Sequence, residues 1–69
     1  MRDVELTPRQ AAVLQALADG RNVKEIAVSL GVCPPTVWTH VRLARIRLGA
    51  KSLYQMMVIA ASQEYVKVR

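Results

Sequence analysis

The side chains in this sequence that could do chemistry are few, and most of them are cations. There is one histidine, His40, one cysteine, Cys33, and five acids that stand singly. These do not assemble a nucleophile with its base or a metal-ligand set, and there is no glycine-rich phosphate loop. The expectation is a protein that is not an enzyme and carries no catalytic residue, metal or cofactor. Lysine and arginine number ten against the five acids, a net charge of +5, with a pI near 10.2. In so small a chain that balance suits a nucleic acid, or less often an anionic membrane. The cations gather at Arg42, Arg45, Arg47 and Lys51, just after Trp38 and Thr39. An arginine can bond a guanine edge with two parallel N–H groups. A threonine can donate, accept or touch a thymine methyl, and a tryptophan offers apolar contact.

Those residues need a helix to aim them, and the sequence predicts four, over about 8–19, 23–30, 34–48 and 52–65. Thr7, Pro8 and Gln10 read as the start of the first helix, with a Thr-x-x-Gln capping box, and Gly20 as its stop. Val13, Leu14, Leu17 and Ala18 are its buried stripe, Leu6 staples its entry, and the Gln15 side faces water. Asn22 and Glu25 repeat the capping-box spacing for the second helix. That helix buries Val23, Ile26, Ala27 and Leu30 and ends at Gly31. Val32 is an apolar plug in the turn, and Pro34 opens the third helix. At ~100° per residue, Val37, Val41, Ala44 and Leu48 of the third helix share the core side. Pro35, Trp38, Thr39, Arg42 and Ile46 share the opposite side, with Leu43 beside them, and Arg45 and Arg47 fall on the flanks. Cations on the flanks suit phosphates, and groups at the centre suit base edges. Two helices joined by so short a glycine turn make a helix-turn-helix.

The segments LTPRQAAVLQALADG, KEIA, LGV, Thr36-Val37-x-x-His40 and RLG, in this order from Leu6 to about Ala60, resemble the LuxR/GerE-type helix-turn-helix domain. The promoter-reading end of a sigma factor shares the Leu-Thr-Pro-Arg opening, but the Thr-Val-x-x-His pattern favours LuxR/GerE. The resemblance implies an all-α, four-helix domain that binds duplex DNA and regulates transcription. It implies DNA-facing positions at Pro35, Trp38, Thr39 and Arg42, with Thr36 on the backbone. It also supports a phosphate role for Lys24, which stands at the N–H-rich start of the second helix. Arg45, Arg47 and Lys51 frame the third helix as further phosphate contacts. His40, at the edge of the core stripe, reads as structural.

This chain departs from the family's pattern in ways that matter. A basic or polar residue is common in the family where Pro35 and Trp38 stand. Cys33 replaces the usual Ser or Asp cap, and a thiol caps poorly; it reads as a small half-buried turn residue. Leu43 and Ile46 make the outward side of the third helix greasier still. One reading is an altered sequence preference, with methyl contacts replacing charged ones; the alternative is a protein-interaction module whose apolar face binds another regulator. The fourth helix, with Ser52 as its cap, carries two apolar stripes. Leu53, Met56, Met57 and Ala60 can close the core. Tyr54, Val58, Ala61 and Tyr65 then need a partner, and the resemblance makes that partner a second copy. The tail from Val66 reads as frayed. No run is long enough to span a bilayer, the N-terminus lacks a signal peptide's apolar core, and a lone cysteine fits a reducing cytosol. The expectation is a cytoplasmic, stand-alone domain over 1–69 that acts as a homodimer.

Overall fold

In the computed structural model, which describes residues 6–67, four α-helices carry the chain: α1 (Pro8–Ala18), α2 (Val23–Leu30), α3 (Pro34–Arg47) and α4 (Leu53–Ser62). The described residues contain no strand. Local chemistry accounts for each start. Gln10 N–H donates to Thr7 Oγ1 at 3.1 Å while Thr7 N–H donates to Gln10 Oε1 at 3.1 Å. Asn22 and Glu25 repeat the reciprocal pair at 2.8 and 3.0 Å. Ser52 Oγ accepts from Gln55 N–H at 3.0 Å at the head of α4. Each such cap satisfies donors that a helix N-terminus would otherwise leave orphaned. Gly31 ends α2 at φ +70°, a left-handed conformation that side chains with a Cβ disfavour. The chain can therefore turn at once, and Val32 N–H closes onto Ala27 O at 3.0 Å.

The core is aliphatic and built largely of small residues. Val13 and Leu14 from α1, Ile26 and Ala27 from α2, Val37, Val41 and Ala44 from α3, and Met56 and Ala60 from α4 are all buried, joined by Ala50 and Val66. Fully burying a Val, Leu, Ile or Met side chain is worth about 1.5–3 kcal/mol. α3 packs against α1, α2 and α4, so Val37, Val41 and Ala44 face inward, His40 and Arg45 are half-buried, and the other residues are presented outward. Leu6 packs on the core beside α1, as a staple should.

Five expectations are corrected at α4, the tail and α1. α4 stops at Ser62, not at 65, because Glu64 turns to φ +63°. Tyr65 N–H then closes onto Ala60 O at 2.8 Å. Tyr65 is therefore off the helix and packs half-buried on the core. Leu53, placed in the core stripe, is 44% exposed at the first turn of α4. The tail is not frayed at its start, since Val66 is only 3% exposed. Gln15 does not simply face water. Its amide donates to Lys67 O at 3.0 Å and accepts from Lys67 N–H at 2.9 Å, a two-way clasp between α1 and the tail.

Candidate nucleic-acid interface

The outward side of α3 begins with two prolines. Pro34 and Pro35 occupy its first turn, where a missing N–H costs nothing. One turn on, Trp38 is 52% exposed, and Thr39 and Arg42 are exposed beside it. Pro35, Trp38, Thr39 and Arg42 line a single open groove of about 620 Å³. Its remaining lining is Val41, Arg45, Lys51, Ser52 and Leu53, so α3 and the start of α4 form it together. It contains the cations Arg42, Arg45 and Lys51 and no acid.

Two of the α3 side chains in this groove are tied. Thr39 Oγ1 donates to Pro35 O, one turn back, at 3.1 Å. Arg45 is half-buried and its guanidinium donates to Ala50 O at 3.3 Å. Arg45 is thus partly a brace for the α3–α4 turn, which spacing alone did not foretell. Lys51 is exposed, and its backbone N–H donates to Gln55 Oε1 at 2.6 Å.

The other singled-out residues lie outside the groove. Lys24 is exposed and lines a second hollow of about 500 Å³ with Glu25, Val28 and Ser29 of α2 and Arg21 just before it. Thr36 and Arg47 are exposed on α3. Cys33 is exposed, not half-buried, and makes no side-chain cap bond. His40 is half-buried. The described residues contain no cluster of three or more His, Cys, Asp or Glu that could hold a metal ion, and no helix among them is long and apolar enough to cross a membrane. On α4, Tyr54 and Val58 are 81% and 51% exposed. Ala61 is half-buried and packs against the core, so it does not stand clear on the outer ridge as expected. Sequence reasoning missed Ser52 and Leu53 as groove lining. Their signal was the proximity of the α4 start to the end of α3, but the crossing that brings them together is a tertiary fact.

Four helices with a glycine turn between α2 and α3, and an exposed cationic groove on α3, define a helix-turn-helix domain. This chain belongs to the luxR family of bacterial regulatory proteins, whose pattern matches residues 4–60. It is 38% identical over 64 residues to the transcriptional activator protein PhzR of Pseudomonas fluorescens, across 93% of this chain and 26% of that one. It superposes on the transcription factor GerE with a TM-score of 0.87 at 22% identity, covering 93% and 96% of the two chains, a likeness of fold alone. Against VqmA of Vibrio cholerae in a ligand–DNA complex the TM-score is 0.84 at 28% identity, covering 94% and 28%. The chain therefore spans about a quarter of the length of PhzR and VqmA.

Proposed function

We propose that this chain is a sequence-specific regulator of transcription in the cytoplasm that lays α3 in the major groove of duplex DNA and works as a homodimer. One observation carries the reading: Pro35, Trp38, Thr39 and Arg42 line one groove with Arg45 and Lys51, and no acid joins them. Arg42 is the guanine reader, and Trp38, Thr39 and Pro35 meet neighbouring base edges. Lys24, Thr36, Arg45, Arg47 and Lys51 contact phosphates and fix the register. Arg45 keeps further N–H groups for a phosphate beyond the one spent on Ala50, since a guanidinium has five. Membership of the luxR family, and a relative described in complex with DNA, support the reading.

For pairing, the support is the outer face of α4, where Tyr54 and Val58 stand in water. A two-fold pair would set two α3 helices about one helical turn of DNA apart, roughly 34–36 Å, so the operator would be near-palindromic. Selection of binding sites from random duplex DNA tests this. Enrichment of a two-fold symmetric motif is the expected result, and an unenriched pool contradicts it.

A second reading has its own observation. Trp38, Leu43 and Ile46 are 52%, 44% and 59% exposed, which is much apolar surface for one helix and would also suit another regulator. Salt separates the two. Binding to DNA weakens steeply as salt rises, because phosphate contacts release counterions, whereas an apolar protein contact holds.

A further inference from the structure

The chemistry that α3 offers outward is lopsided, and this points to what it reads. The inference rests on the DNA reading above. The Thr39 hydroxyl has one proton, and it is given to Pro35 O at 3.1 Å. What Thr39 still presents is a γ-methyl group and an acceptor oxygen, because a hydroxyl bonded as donor retains acceptor capacity. Pro35 adds an apolar ring and no N–H. Its carbonyl is the acceptor for Thr39. Trp38, 52% exposed, adds the largest apolar surface in the groove and a single N–H. Arg42 is the one cation among these four residues. These four residues therefore carry one strong donor fork in a mostly apolar surround, with Arg45 and Lys51 at the groove's edge.

The one apolar group that projects from the base edges into a major groove is the C5-methyl of thymine; cytosine has only a C5 hydrogen there, beside its amino donor. We propose that Pro35, Trp38 and Thr39 read pyrimidine C5-methyl groups beside the guanine taken by Arg42. The preferred ligand is then a half-site in which a guanine neighbours thymines, and 5-methylcytosine at those positions satisfies the methyl contact as thymine does. Unmethylated duplex with cytosine there leaves the apolar side chains against an amino edge and binds more weakly.

The test uses the full chain and its selected duplex in gel-shift titrations. Each thymine is replaced singly by deoxyuridine, which keeps the base pair and removes only the methyl. The expected loss is about four-fold per methyl, the factor for burying one such group, and about sixteen-fold when both halves of a palindrome are changed. Thr39→Ser keeps the hydroxyl and its bond to Pro35 O but lacks the methyl. It should bind the thymine and deoxyuridine duplexes equally at one position, while Trp38→Ala does so at another. A parallel duplex with 7-deazaguanine, which removes the acceptor facing Arg42, reports the guanine contact separately. Full affinity for every deoxyuridine duplex, with the 7-deazaguanine penalty intact, overturns the methyl inference and leaves DNA recognition standing. Absence of binding to any duplex overturns both.

Discussion

Arg42 and Cys33 show how unevenly single residues of α3 carry weight. Arg42 is exposed mid-helix and lines the groove. Arg42→Ala is expected to cost about 1–3 kcal/mol of specific binding and to relax preference at one base pair, while Lys24→Ala weakens all sequences alike. Affinities for cognate and scrambled duplexes check this, and retained selectivity in the Arg42 variant would assign the reading elsewhere. Cys33 is the reverse case, an N-cap without a side-chain bond. The structure tolerates it because Pro34 and Pro35 have no N–H to satisfy, and Thr36 N–H already donates to Cys33 O at 2.9 Å. Cys33→Ser should therefore change stability by less than about 0.5 kcal/mol, whereas Asn22→Ala, which strips a reciprocal cap from α2, should cost about 1 kcal/mol. Urea denaturation of the two variants measures the contrast.

At the scale of the element, what could be read from sequence was what neighbours in the chain decide. Thr7 with Gln10 and Asn22 with Glu25 form boxes by spacing alone, and Val37, Val41 and Ala44 were assigned to the core by the helical period. The same period misled at α4. It carried Tyr65 onto a ridge because nothing in residues 53–65 announces that Glu64 will take φ +63°. It put Leu53 inside because a stripe does not reveal which of its residues lies beyond the neighbouring helix's reach. In the groove, Pro35, Trp38, Thr39 and Arg42 share a helix face and were legible. Ser52 and Leu53 come from another helix and were not. Val66 illustrates the long-range part. A solvated tail would make Val66→Ala neutral. Burial at 3% exposure predicts a loss of about 1–2 kcal/mol for the two methyl equivalents removed. Thermal or urea unfolding decides.

For the molecule as a whole, the proposed pairing of two copies rests on the outer face of α4. The exposed ridge of α4 has shrunk to Tyr54 and Val58, since Ala61 and Tyr65 lean on the core. So small a contact suggests modest affinity, with pairing aided by DNA that holds both copies. Charge must then be placed at Val58, because Ala61→Glu would strike core and seam together. Val58→Glu should remain folded by circular dichroism and bind a half-site normally. It should lose most of its advantage on a full palindrome, while light scattering finds monomer. A variant that still pairs moves the seam off α4.

The aromatic residues are sorted by location. The chain has one tryptophan, two tyrosines and no phenylalanine. The tryptophan sits on the outer side of α3, one tyrosine stands 81% exposed on α4, and the other leans on the core just beyond it. The molecule thus carries a separate natural chromophore on the face proposed for DNA and on the face proposed for pairing. Excited at the red edge, Trp38 emission should be red-shifted and strongly quenched by iodide in the free protein, then shielded when DNA covers α3. Tyrosine absorbance should respond instead to self-association. One unlabelled sample can therefore report, in two spectral windows, whether pairing comes before DNA binding or follows it.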